Sequence, residues 1–302
     1  MIDMIDVRRL EALVALHRTG TVSAAAAELH YGQPTISHHL RRLEAETGSV
    51  LVQRVGRGVR LTPDGERLAR RGEEILALLG RAEAELAAST NLQAGVVRLA
   101  AFPSAAATLV PAAVTVLHER HPGLALDLVE AEPPEASELL RGGSVDLALT
   151  FAYPDQPEPE GLTSEVVLED PLYFVAPRGV DSGDGPLDLA RFAGTRWVTG
   201  CQRCRSELLA LCADAGFAPD IAFASDDYVA VQSLVASGIG VTVLPGLALR
   251  AHCHPGVERR QVPGAARRIQ VTTYGALPHP ASVDAVAAVL ADVSAAGAAS
   301  AG

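Results

Sequence analysis

Gln33, Thr35, Ser37 and His38 crowd into one short stretch, and Arg41 and Arg42 follow at helical spacing. These side-chain types suit two surfaces of a nucleic acid. Gln pairs bidentately with adenine, Ser and Thr reach several base edges, and Arg reads guanine or holds phosphate. Ile36, Leu40 and Leu43 recur on one face of the same stretch. Pro34, His38, Arg41 and Arg42 therefore lie on the opposite face, with Gln33, Thr35 and Ser37 near the start. We assign Gln33, Thr35, Ser37 and His38 to bases and Arg41 and Arg42 to phosphates, with Ser23 and Pro34 in the same interface. Arg54, Arg57 and Arg60 add three cations within seven residues, which repel one another unless an anion is expected.

The elements that must carry these groups follow from local pattern. Ser23 is placed to cap a short alanine-rich helix over 24–29. Gly32 supplies a turn, and Pro34 suits the first position of the next helix, where its missing N–H costs nothing. Residues 51–54 and 59–61 can pair as short strands across Gly56-Arg57-Gly58, which makes a basic hairpin beside the second helix of the pair. A helix over 7–18 backs the unit through Leu10, Leu13, Val14 and His17. Thr62-Pro63-Asp64 starts a long helix that runs to about residue 88. In it Leu68, Ile75 and Ala82 recur every seven residues, and Leu79 and Leu86 complete a short seam suited to dimerisation. Gly72 interrupts that seam and is expected to weaken or bend it.

This run resembles the N-terminal domain of LysR-type transcriptional regulators. The matching residues are Leu10, Ser23, Ala25-Ala26, Leu29, Gln33, Ser37, Leu43-Glu44, Gly48, Leu51, Arg54, Arg57, Leu61-Thr62-Pro63 and Gly65. Tyr31-Gly32 and His38-His39 depart from the usual pattern and bear on the operator sequence. The resemblance implies a dimer or dimer of dimers on a partly palindromic site in double-stranded DNA.

The rest of the chain fits a controlled DNA-binding head. Net charge is −11, yet residues 1–62 carry +2 and the remainder −13. Every basic residue that titrates above His is arginine; lysine is absent. This asymmetry fits a basic head on an acidic body. The start MIDMIDVRRL lacks a positive-then-apolar signal region, and no apolar run reaches the length of a bilayer span. We expect a soluble, cytoplasmic protein with no membrane, metal or cofactor.

After a linker over 89–95 the rhythm becomes strand and helix in alternation. Strands are expected at 96–102, 124–130 and 145–151, with helices at 105–120 and 136–141. A second series follows, with strands at 166–169, 172–176, 196–199, 221–224 and 240–244 and helices at 205–215 and 228–236. The chain returns through a strand at 268–274 and a helix from 281 to about 293. The order resembles the effector-binding domain of the same family, itself similar to periplasmic binding proteins. The fold class is thus α+β and multi-domain: a winged helix-turn-helix at 1–62, a linker helix and hinge at 63–94, and a two-lobed α/β effector domain at 95–302. Lobe I takes about 95–164 and 268–302, and lobe II about 165–267.

Ligands of such sheets sit beyond the carboxyl ends of the strands. Phe102 and Ser104 follow the first strand at a helix N-terminus, and the resemblance points to the same serine. Gly200, Cys201 and Arg203 occupy the corresponding turn of the other lobe, where Arg203 can clamp an acidic ligand. Thr150, Phe151 and Val243 complete the expected effector site. Glu130-Ala131-Glu132-Pro133-Pro134 stands where many relatives hold a carboxylate, and its glutamates would repel one. Cys201, Cys204 and Cys212 open an alternative, a thiol- or redox-sensing regulator of the same type. A solute-binding protein or an enzyme is the rival class. The sequence has no G-x-S-x-G, P-loop, G-x-G-x-x-G or H-E-x-x-H motif to support an enzyme.

Overall fold

The computed structural model describes residues 5–55, 58–88, 95–154, 161–180, 187–275 and 279–299. Arg57, the linker at 89–94 and the tail at 300–302 lie outside the described residues. So do the side chains at 54–58 and 81–88, among them Arg54 and the seam positions Ala82 and Leu86. The chain divides into two compact units: Met1–Leu92 with Glu138–Asp146, and Gln93–Ser137 with Leu147–Gly302.

The first unit begins with three helices, α1 (Val7–Thr19), α2 (Val22–Glu28) and α3 (Gln33–Thr47). A hairpin of β1 (Val52–Val55) and β2 (Gly58–Leu61) follows, then the long α4 (Pro63–Ala88). Leu13, Leu16, Ala25, Ala26, Ile36, Leu40, Leu43, Leu51 and Leu61 form its core. The alanines of α2 let neighbouring helices approach closely.

Local details correct the sequence reading in three places. Thr21, not Ser23, caps α2: its extended backbone lets Oγ1 accept from Ala24 N at 3.1 Å. Ser23 lies inside the helix, on the exposed side. Gly32 is the extended N-cap of α3, so Pro34 falls at the second helical position. The left-handed residue of the turn is His30 (φ 55°). Gly72 leaves α4 unbroken. A Cβ there would sit 2.8 Å from Val14 Cγ2 and 2.9 Å from Leu10 Cδ1, so the glycine serves the packing of α4 on α1. Thr62 caps α4 as expected, accepting from Gly65 N at 3.0 Å.

From Gln93 the chain runs β3 (Gly95–Ala101), α5 (Pro103–Ala106), α6 (Leu109–Arg120), β4 (Leu124–Glu130), α7 (Pro133–Arg141), whose residues from Glu138 on count with the first unit, and β5 (Leu147–Ala152). It continues through β6 (Leu162–Pro177), a 3-10 turn at Leu189–Phe192, β7 (Arg196–Thr199), α8 (Gln202–Asp214) and β8 (Asp220–Ala224). The last elements are α9 (Tyr228–Ala236), β9 (Thr242–Pro245), α10 (Gly246–Ala251), β10 (Val257–Tyr274) and α11 (Ala281–Ala299).

Six strands make one mixed sheet in the order β4-β3-β5-β10-β6-β9, and β7 pairs with β8 separately. β3 is parallel to β4 and β5, whereas β10 is antiparallel to β5 and β6. A parallel bridge from Trp197 to Val241 links β7 to the chain entering β9.

Two segments expected as separate or short strands are long ones. β6 spans both expected strands without a break, and β10 begins well before residue 268. Pro171 is tolerated because its missing N–H falls beside the register shift between Gln261 and Ala266 of β10. The single helix expected at 105–120 is two. Pro111 cannot donate backward to residue 107, so the chain restarts at Leu109 and Pro111 falls in the first turn of α6. α8 starts at Gln202, three residues early, with Cys201 as its N-cap.

Candidate functional site

In the first unit, α3 buries Ile36, Leu40 and Leu43 and exposes Gln33, Pro34, Thr35, His38, Arg41 and Arg42; Ser37 is half-buried. The sequence reading and the fold thus agree on which side of α3 faces out. Arg41 Nε donates to Ser37 O at 3.1 Å, which holds the side chain along the helix. Arg9 pairs with Glu46 and Arg18 with Glu28. Among the described residues no carboxylate pairs with Arg41, Arg42 or Arg60.

The hairpin is anchored to α3 through Glu44, whose Oε1 accepts from Leu51 N at 2.9 Å and Val52 N at 3.0 Å. Its register pairs Gln53 with Arg60 and Arg54 with Val59. Successive pairs of a ladder point to opposite faces. Arg60 therefore shares an outward face with Gln53, and it is exposed.

In the second unit, a cavity of about 600 Å³ of empty volume opens beside the ends of β3, β7 and β9. Phe102, Ser104, Gly200, Cys201 and Val243 line it, as expected from sequence. Thr150, Phe151 and Arg203 lie outside the lining. Thr150 Oγ1 shares a 2.7 Å hydrogen bond with Thr272 Oγ1 inside the sheet. Arg203 Nη1 donates to Phe151 O at 3.0 Å, at the end of β5.

The cavity is organised by a residue outside the expected set, Arg267. The residue is 2% exposed. Nε donates to Asp170 Oδ2 at 2.9 Å, and Nη2 donates to Ser104 Oγ at 2.9 Å. The Phe102 and Phe151 rings lie 4.9 and 4.5 Å from its central carbon. Burial alone would ease deprotonation of Arg267, but the Asp170 carboxylate outweighs it and holds the guanidinium charged. The sequence signal was slight: Arg267-Arg268 follows two alanines in the strand that returns to the first lobe.

Glu132, Tyr153 and Cys204 also line the cavity. Burial holds the Glu132 carboxyl above the usual carboxylate range, against a hydrogen bond from Cys201. Glu132 Oε2 is buried with no hydrogen-bond partner. Cys201 Sγ donates to Cys204 Sγ at 3.1 Å, and Tyr153 Oη donates to the same sulfur at 3.7 Å. The Cys204 thiol is held below its ordinary range, first by the Cys201 bond and also by the Arg267 charge. Cys201 is raised because it supplies that bond. Cys212 is fully buried, and burial pushes it up to about 11.

Among the described residues no group of three or more His, Cys, Asp or Glu could hold a metal ion. Among them, too, no helix is long and apolar enough to cross a membrane.

Known proteins share both units. Residues 7–66 match the family described as bacterial regulatory helix-turn-helix protein, lysR family, and residues 90–295 match the LysR substrate binding domain. The chain is 28% identical over 269 residues to a probable HTH-type transcriptional regulator, LrrA, of Synechococcus elongatus, covering 86% of this chain and 90% of that one. Its fold is similar to a full-length OxyR cysteine-to-aspartate variant from Pseudomonas aeruginosa (TM-score 0.71, 23% identity, 95% of each chain). It is also similar to full-length CbnR solved with its target DNA (TM-score 0.65, 22% identity, 95% of this chain and 99% of that one). The helix-turn-helix, the mixed α/β ligand domain and these matches agree: the chain belongs to the LysR family of DNA-binding transcriptional regulators.

Proposed function

We propose that this regulator reads its operator through the N-terminal half of α3, as a homodimer or dimer of dimers in the cytoplasm, and carries no enzymatic activity. Gln33, Thr35, Ser37 and His38 meet base edges in the major groove, and Arg41, Arg42 and Arg60 hold phosphate. The observation that carries this is the division of α3 into a fully buried apolar side and an exposed side of groove-reading residues. Ile75, Leu78 and Leu79 are exposed on α4 at 44, 63 and 41%, which supports self-association through that helix. The test is binding of the full chain to its upstream DNA at several salt concentrations. Gln33→Ala relaxes base preference at one position; uniform weakening at all sequences would make Gln33 structural instead.

The effector occupies the cavity around Ser104. Among the described residues its one lining cation, Arg267, is already neutralised by Asp170, whereas Glu132, Glu207 and Asp226 also line it. This balance favours a neutral or cationic effector with an apolar body over a carboxylate. Thermal shift of the full chain against matched amines, neutral aromatics and organic acids tests it. An effector at ~100 times its Kd adds roughly 2.7 kcal/mol of stability, and stabilisation by acids alone would reverse the assignment.

A further inference from the structure

Cys201 and Cys204 sit one turn apart at the start of α8, at its N-cap and third helical position. Their sulfurs are 3.1 Å apart, so little movement separates them from a bond. This differs from a Cys204–Cys212 bridge. Cys204 and Cys212 lie near opposite ends of α8, roughly 12 Å apart along the axis at 1.5 Å per residue, and Cys212 is fully buried.

Three groups surround the two sulfurs in a way that divides their roles. Cys204 accepts from the Cys201 thiol and the Tyr153 hydroxyl and feels the Arg267 charge. It also lies in the first turn of a thirteen-residue helix, where the N-terminal dipole favours an anion. Cys201 keeps its proton and donates it to the Cys204 sulfur, and the Glu132 carboxyl lines the same wall. Both cysteines line the open cavity.

We propose that Cys201 and Cys204 form a dithiol–disulfide exchange site in the cavity wall, with Cys204 as nucleophile, Cys201 as resolving thiol and Glu132 as its base, acting on small organic disulfides. The Cys204 thiolate attacks one sulfur of the disulfide RS–SR. A Cys204–SR bond forms, the RS–SR bond breaks, and RS⁻ leaves. Glu132 then takes the Cys201 proton, and the Cys201 sulfur attacks Cys204. The Cys201–Cys204 bond forms, the Cys204–SR bond breaks, and the second RS⁻ leaves with the proton from Glu132 as RSH. The protein loses two electrons, and the disulfide is reduced to two thiols. Oxidation removes a negative charge facing Arg267 and Tyr153, so the redox state and the ligand affinity of the cavity become linked. The site shares the cavity of the effector reading, but its test needs neither effector nor DNA, so each can fail alone.

The experiment treats the fully reduced full chain with bis(2-hydroxyethyl) disulfide at pH 7, quenches with acid, digests with trypsin and weighs the peptides. Trypsin cuts after Arg203, so residues 197–203 carry Cys201, residues 204–205 carry Cys204 and residues 206–250 carry Cys212. The expected product is 197–203 joined to 204–205 by a disulfide, two hydrogens lighter than the two peptides together, with Cys212 unmodified. Cys201→Ser accumulates the mixed disulfide on Cys204. Glu132→Gln lengthens the life of the mixed disulfide at least about tenfold. Alkylation of Cys204 falls less steeply from pH 8 to pH 6 than that of free 2-mercaptoethanol measured alongside. A Cys204–Cys212 link, a mixed disulfide that persists in the unaltered chain, or a Cys204 alkylation profile as steep as that of 2-mercaptoethanol would overturn the proposal.

Discussion

Arg267 and Asp170 face each other across the ladder of β10 and β6 as direct partners, joined at 2.9 Å and each about 3% exposed at the side chain. Two long strands carry the chain through the second unit, and this pair fixes their register where the cavity opens. Asp170 is held from a second side by Leu247 N, which donates to Oδ1 at 2.9 Å. Removing one partner leaves the other buried and uncompensated, which costs about 3–5 kcal/mol. Arg267→Met is therefore expected to lower the denaturation midpoint of the effector-binding unit strongly. Adding Asp170→Asn removes the orphaned charge while keeping an acceptor for Leu247, and recovers about half the loss. Equal midpoints for the single and double variants would show that the charge pair is not the source of the cost.

Glu132 makes stability fall with pH. Burial raises its carboxyl in the folded state above the ordinary value of 4.5. A group raised on folding contributes fully below its unfolded value, and that contribution is lost as pH rises through the folded one. Glu132→Gln is thus expected to melt close to the unaltered chain at pH 4 and above it at pH 8. Melting curves of both proteins over this range check the sign, and a gap that shrinks toward pH 8 would contradict it.

The hairpin register places Arg60 on the outward face. Arg60 shares the outward face with Gln53, so Arg60→Ala should leave the melting temperature unchanged. The slope of log affinity against log salt should then fall by about one phosphate contact. An unchanged slope would remove Arg60 from the phosphate set.

Three glycines of α4 form a graded series. A Cβ at Gly65 would meet Leu51 O at 2.1 Å, one at Gly72 would meet two side-chain tips at 2.8–2.9 Å, and one at Gly80 would meet nothing within 4 Å. Gly80→Ala should stabilise by up to about 1 kcal/mol through helix propensity. Gly72→Ala should lose about 1 kcal/mol net, because overpacking outweighs that gain. Gly65→Ala should cost more than about 2 kcal/mol, since a backbone carbonyl cannot swing aside. The order of the three melting temperatures is the measurement; Gly65 as the mildest change would refute it.

The sequence by itself determined the helix-turn-helix, the side of α3 that faces outward, the hairpin after it and the alternation of strands and helices. Each is written in spacing of 3.6 or 2, in caps and in turn residues, all of which act within a few positions. Thr21 rather than Ser23 as the cap of α2, and the break before Pro111, lay within the same local grammar but hinged on a residue or two. Only the tertiary structure decided that Arg267 and Asp170, ninety-seven positions apart, would meet, that Ser104 would be their neighbour, and that Glu132, Tyr153, Cys201 and Cys204 would share one wall. Those meetings depend on strand order and register across the sheet. No local pattern encodes them, because the hydrogen bonds that set them join segments far apart in the chain.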